Sequence, residues 1–323
     1  MVNVNDFVNA PKERTLVFSR ILNAPRELVY QAWTETEHLL HWWGPDGFNN
    51  TFIAMNVEPG GKWKFTMHGP DGTDYPNHIE YIEVLKNEKL AYFHGDAKAE
   101  NPILFYVTVL FENWEGKTKL TMSMVFPTIE ELKRVVENFG AIDGNRQTLN
   151  KLEIYLESIN AKKSFAISKS FQAPLKLVFD AYSKAEHLVH WWGPAGMGIK
   201  VAHLDFRPGG KFHYCLTGPD GNEMWGMFEY LEIDAPHRMA FINYFSDKDG
   251  NATRHPMAPN WPLKVFNIVS FSEKDNITTL SIHGGPIQAT ADEIAMYESA
   301  FANMEQGFAG TFMQLENYLK TIV

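Results

Sequence analysis

Along the first half of the chain the spacing of hydrophobic residues changes period twice. Arg14 to Leu22 is rich in Val, Leu, Ile and Phe and reads as an opening strand that Asn23-Ala24-Pro25 breaks. From Arg26 to Thr34, Leu28, Val29, Ala32 and Trp33 recur three to four apart, the period of a helix with one buried face. Pro25 suits the start of that helix, because the first turn has no partner for an N–H in any case. A second short helix, Glu35 to Trp43, ends at Gly44-Pro45. Period-two segments follow over Thr51 to Val57, Lys62 to Met67, Ile79 to Leu85, Lys89 to His94, Ile103 to Glu112 and Lys117 to Phe126. Short turn-rich connectors such as Gly69-Pro70-Asp71-Gly72 make these hairpins of an antiparallel sheet. Helical period returns from Thr128 to Leu156, where Thr128 and Glu131 have the spacing of a capping box. One strand, two helices, six strands and a long helix describe an α+β domain.

The second half repeats this order. Asn23 to Gly47 aligns without gaps to Gln172 to Gly196, an offset of 149 residues from Pro25 to Pro174, with 14 of 25 positions identical. The same offset carries Pro59-Gly60-Gly61-Lys62 onto Pro208-Gly209-Gly210-Lys211, and Gly69-Pro70-Asp71-Gly72 onto Gly218-Pro219-Asp220-Gly221. Blocks in one register imply that a whole domain was duplicated. By the closing helices (Leu152 to Leu156 and Leu315 to Leu319; the second helix is expected over Thr290 to Leu319) the offset is 163, so the second copy has gained 14 residues. Ser246 to Pro262, rich in Asp, Asn, Gly and Pro, reads as a long loop that holds the gain, either functional or a tolerated surface insertion. The expected domains are residues 1–160 and 161–323, joined at a short polar segment, 158–163, and in direct contact.

Composition then narrows the class. With 45% hydrophobic and 21% charged residues the chain is a folded protein rather than a disordered one. The first eleven residues lack the pattern of a secretory leader, and no apolar run approaches the length of a membrane helix, so integral membrane association is not expected. A lone cysteine, Cys215, forms no internal disulfide, which fits a cytoplasmic protein. The formal charge of -10, without a basic stripe, excludes nucleic acid as an expected partner.

The local motifs resemble the activator-of-heat-shock-protein-90-ATPase-homologue-like branch of the START-like (SRPBCC) superfamily. They are Ala24-Pro25, His41-Trp42-Trp43-Gly44-Pro45, Pro59 to Lys62, Gly69 to Gly72 and Gly144-Asn145-Arg146-Gln147-Thr148-Leu149, with their counterparts His190 to Pro194, Pro208 to Lys211, Gly218 to Gly221 and Gly307 to Phe312. The resemblance implies a helix-grip fold, a curved antiparallel sheet wrapped around the C-terminal helix, duplicated in tandem. It also implies a cavity for a lipid, polyketide or other hydrophobic compound. That family commonly has an aromatic residue after the glycine of the last motif; Phe308 fits and Asn145 does not, so the two cavities are expected to differ.

If one face of each strand lines the cavity, alternation turns Trp63, Phe65 and Met67 inward in the first copy and Phe212, Tyr214 and Leu216 in the second, with His213 and Cys215 outward. Leu120, Met122 and Met124 add apolar surface; such side chains fill a core as readily as they line a void. Candidate ligand-binding residues are therefore Trp42, Trp63, Phe65, Met67, Met122 and Met124 in one copy and Trp191, Phe212, Tyr214, Leu216, Tyr244 and Phe308 in the other. Trp42-Trp43 and Trp191-Trp192 could each stack on a ligand through their flat indole faces, with core packing the alternative for Trp42 and Trp191. His38 and His41, repeated as His187 and His190, share a helix face, but no further ligand pattern accompanies them and no metal or cofactor is expected. Phosphate-binding loops and nucleophile elbows are absent. General acid–base chemistry would fall to His78, His94, Glu80 or Tyr81 and to Glu229, Tyr230 or Tyr244, each equally at home in a structural role, so no catalytic residue is assigned. The leading expectation is binding of a hydrophobic small molecule for transport or sequestration, without turnover, with the second copy as the binder and the first mainly structural. A cyclase or hydrolase acting on a hydrophobic substrate is the alternative, and a co-chaperone-like interaction module the third.

Overall fold

In the computed structural model the described residues are 4–96, 103–160, 164–255 and 258–322, and the chain divides into two compact units, Met1–Ala161 and Lys162–Val323. Of the polar segment 158–163, residues 161–163 lie outside the described ones, as do 256 and 257 of the expected insertion. The first unit opens with a single helical turn, α1 (Asn5–Val8), and then runs β1 (Thr15–Leu22), α2 (Arg26–Thr34), α3 (Thr36–Trp42), β2 (Asn49–Met55), β3 (Lys62–His68), β4 (Asp74–Leu85), β5 (Lys89–Asp96), β6 (Ile103–Trp114), β7 (Lys117–Val125), α4 (Ile129–Phe139) and α5 (Ala141–Ile159). The second repeats it as β8 (Phe165–Phe171), α6 (Leu175–Ser183), α7 (Ala185–Leu188), β9 (Gly198–Leu204), β10 (Lys211–Thr217), β11 (Glu223–Asp234), β12 (Arg238–Ser246), β13 (Lys264–Lys274), β14 (Ile277–Ile287), α8 (Ala291–Ser299) and α9 (Phe301–Ile322). Each unit holds one seven-stranded antiparallel sheet, β1-β7-β6-β5-β4-β3-β2 and β8-β14-β13-β12-β11-β10-β9. This is the helix-grip fold in tandem: Leu149, Leu152 and Leu156 of α5, and Phe312, Leu315 and Leu319 of α9, bury themselves in the hollow of the sheet.

The closing helix is not continuous, contrary to the sequence expectation. Gly140 takes a left-handed conformation (φ 58°) that ends α4 and starts α5, a position glycine occupies without strain. In the second unit the break falls at Ala300, which keeps right-handed dihedrals (φ -90°, ψ -1°). Only Thr290 and Glu293 form the full capping box; Glu131 turns instead to Arg134 at 2.6 Å and leaves Thr128 to cap alone.

Several repeated motifs are structural. In Pro59-Gly60-Gly61-Lys62 a Cβ on Gly61 would come within 2.3 Å of the Asn56 carbonyl, and Gly210 meets Asp205 in the same way at 2.1 Å. Gly60 N–H donates to the Tyr81 carbonyl at 2.7 Å and Tyr81 N–H to that of Gly61 at 2.9 Å. Lys62 then reaches Glu80 at 3.7 Å, as Lys211 reaches Glu229 at 3.2 Å, which accounts for the recurrence of Glu80-Tyr81 as Glu229-Tyr230. The described residues of the insertion run as a loop between β12 and β13. His213 contacts the Ser246 hydroxyl and the Asp247 carbonyl, both at 3.2 Å, so this outward-facing residue is buried by the loop's first turn, and Cys215 beside it is buried as well. Farther on, Arg254 pairs with Glu293, and the Trp261 ring lies 5.4 Å from Tyr297, tying the loop to α8.

Candidate functional site

Each unit holds a cavity, half open to solvent, between its sheet, the tryptophan block and the closing helix. The first measures about 190 Å³ and the second about 210 Å³, so a division into one binding and one mainly structural copy does not appear in the geometry. An engineered apolar cavity of about 150 Å³ admits benzene, which makes these spaces large enough for one or two fused rings.

The wall begins at the tryptophan pair. Trp42 and Trp191 are fully buried and donate their indole N–H to the carbonyls of Ala32 (2.9 Å) and Ala181 (3.1 Å), pinning α3 and the α7 turn to the preceding helix. Helical phase explains this: Trp42 lies three residues after the buried Leu39, on the core face. The second tryptophan of each pair, Trp43 and Trp192, is half-buried and lines its cavity. Gly44 (φ 98°) and Gly193 (φ 110°) follow and turn the chain along the rim. Lys151 donates to the Gly44 carbonyl at 3.1 Å and Gln314 donates to that of Gly193, which holds the rim against the closing helix.

Of the residues singled out from sequence, Trp42, Met67, Met122 and Met124 line the first cavity, while Trp63 and Phe65 stack beneath it (ring centroids 4.4 Å) in the core. Tyr214, Leu216 and Phe308 line the second; Trp191 and Phe212 lie behind the wall. Tyr244 is on the opposite face of the sheet, where its hydroxyl donates to Glu229 at 2.8 Å, and burial and that carboxylate both push its pKa up. Alternation along β12 presents its neighbour Asn243 to the cavity instead. Sequence reasoning missed Asn243, Asn267 and the helix residues Thr148 and Thr311, and it considered Trp43 and Trp192 for stacking but put Trp42 and Trp191 ahead of them. The recurrence of both tryptophans was a usable signal. For Asn267 there was none, since the insertion shifts the register of the last two strands.

At neutral pH these walls are uncharged. Among the described residues, no carboxylate, lysine or thiol lines either cavity. Burial, and then the nearby His78, lowers the His94 pKa to about 4, so the imidazole is neutral. Burial raises Tyr92 and Tyr182, and holds Tyr214 at about 12 against a hydrogen bond from Trp192. Of the acid–base candidates only His94 lines either of these two cavities; Tyr81 and Tyr230 are core residues, and Glu80 and Glu229 pair with lysines.

The paired histidines grip the closing helix. His38 Nδ1 lies 2.7 Å from the Tyr155 hydroxyl and His41 stacks on the same ring at 4.8 Å; His187 and His190 treat Tyr318 likewise, at 2.7 and 5.0 Å. Glu35, Glu37 and His38 bring ligand atoms within 4.8 Å of one another, but Tyr155 and Glu35 already engage the two His38 nitrogens.

The profile of the family described as Activator of Hsp90 ATPase homolog 1-like protein matches residues 23–157 and again 172–320. No curated protein matches the chain. Similar solved structures include protein Ms6760 from Mycobacterium smegmatis (27% identity over 48% of this chain and 90% of that one, TM-score 0.41). A protein from Arthrobacter aurescens is 27% identical over 50% of this chain and 87% of that one (TM-score 0.42). Protein NE0264 from Nitrosomonas europaea is 25% identical over 46% and 97% (TM-score 0.42).

Proposed function

The chain belongs, in both halves, to the Activator of Hsp90 ATPase homolog 1-like family, and from that premise we propose that each unit binds a neutral, hydrophobic small molecule in its cavity, for transport or sequestration without turnover. The observation that carries this reading is the pairing of an apolar, aromatic-walled space in each unit with walls that bear no charge at neutral pH. Apolar guests gain by leaving water, roughly 25 cal/mol per Å² of surface buried, and an uncharged wall spares them the cost of stripping water from ions. Trp43 and Trp192 offer flat faces for a ring or polyene, and the flexible Met67, Met122 and Met124 let the first wall adapt. Units spanning 1–160 and 161–323 would each serve as one binding domain, and the lone cysteine agrees with a cytoplasmic setting. Among the described residues no helix is long and apolar enough to cross a membrane.

Thr148 and Thr311 occupy equivalent places on the helix wall of the two cavities, which makes them natural positions to fill each space separately. Equilibrium dialysis with naphthalene tests the reading. Uptake is expected to saturate near two molecules per chain, with Thr148→Trp and Thr311→Trp each removing one. Linear, non-saturating partition, or a stoichiometry that neither substitution changes, would sink it.

A further inference from the structure

The two cavities part ways on neighbouring strands. Phe241 pairs with Asn267, and Asn267 with Gly284, where the first unit pairs Tyr92 with Val107 and Val107 with Met124. Asn243 likewise stands at the repeat position of His94. The exchanges sit against one another: a Cβ on residue 284 would come within 2.4 Å of Asn267 Oδ1, so the amide in its observed place packs over the glycine.

Asn267 Nδ2 donates to Asn243 Oδ1 at 2.7 Å and to the Val265 carbonyl at 3.2 Å, using both its hydrogens. Two groups are then left on the wall without a partner among the described residues, the Asn243 Nδ2 donor and the Asn267 Oδ1 acceptor. On the reading that the cavities bind hydrophobic guests, we propose that the second cavity selects molecules carrying an adjacent hydrogen-bond donor and acceptor, such as a lactam or hydroxy-ketone, and that Asn243 and Asn267 read that edge. A plain hydrocarbon that fills this space shuts both amide groups away from water unpaired, whereas a guest with the matching edge replaces the water it expels; sites of this kind discriminate through the groups they would otherwise leave unsatisfied. The corresponding strands of the first cavity carry no such pair. Val107 and Met124 are apolar there, and His94 Nε2 is engaged with Asn77 Oδ1 at 2.9 Å.

The probes are 2-quinolinone, a neutral bicyclic lactam, and naphthalene, a hydrocarbon of similar outline, in equilibrium dialysis with the full chain. One 2-quinolinone should bind per chain, survive Thr148→Trp and be lost in Thr311→Trp. Asn267→Val should weaken it about tenfold or more while naphthalene in the second cavity is held equally well or more tightly, the direction expected when a polar contact with the lactam is lost and an unpaired amide is removed from the hydrocarbon's site. Asn243→Leu, on the neighbouring strand, should act in the same way and guards against a folding defect in the first variant. If 2-quinolinone and naphthalene respond alike to both substitutions, or if Thr148→Trp abolishes the lactam, the selectivity is overturned while hydrophobic binding stands. Failure of wild-type protein to take up either probe would overturn both.

Discussion

His94 shows how one side chain couples the first cavity to pH. Its imidazole lies tilted against Phe105 at 4.8 Å and faces Asn77, and burial, followed by His78, lowers its pKa to about 4. In the unfolded chain the same ring titrates near 6.5, so between about pH 6.5 and 4 the unfolded state holds a proton that the folded state refuses. Stability from this group is full above about pH 6.5 and falls as the pH drops towards 4, by roughly 1–3 kcal/mol. Denaturant unfolding of wild type and His94→Asn at pH 7.5 and 4.5 should therefore show the smaller loss in the variant, which carries the residue the second unit has at position 243. Parallel losses in the two proteins would count against a buried neutral imidazole. Sequence marked His94 only as one of several strand histidines; its place on the wall depends on the bend of the sheet, which alternation alone does not supply.

Among elements, the contrast between the two closing helices is sharpest where each meets its first strand. In the first unit Arg20 of β1 lies 3.4 Å from Glu153 of α5 and 2.6 Å from Asn150, with both charged groups buried; the matching pair in the second unit, Lys169 with Glu316 at 3.3 Å, is solvent-exposed. Removing one member of a buried pair strands the other charge and costs about 3–5 kcal/mol, against about 1 kcal/mol or less at an exposed pair. Glu153→Ala should accordingly shift the denaturation midpoint far more than Glu316→Ala, and equal shifts would contradict a buried role for the first. The strands and short helices were legible from period and from Pro and Gly punctuation, to within a few residues at each end. The break in the closing helix was less so, because Gly140 ends α4 by its left-handed dihedrals, whereas at Ala300 no residue type announces the turn.

For the whole molecule, duplication was the most readable property, since three motif blocks share one offset and the family profile matches both halves. Helix grip followed from the resemblance those blocks carry. The interiors were read only in part. Trp63, Phe65, Trp191 and Phe212 face inward yet support the wall from behind, and no pattern in a single strand separates a residue that lines a void from one that closes it. What the sequence could not show was that both copies keep a cavity of nearly equal size. The central claim, that these are binding sites for hydrophobic molecules, is tested most directly by native mass spectrometry of the full chain purified from its own cells, before and after organic extraction. The account predicts a non-covalent mass excess of one or two small molecules per chain, lost on extraction and absent from the Thr148→Trp/Thr311→Trp double variant. A bare chain mass that stays bare after exposure to the extracted cell lipids and aromatics would contradict it.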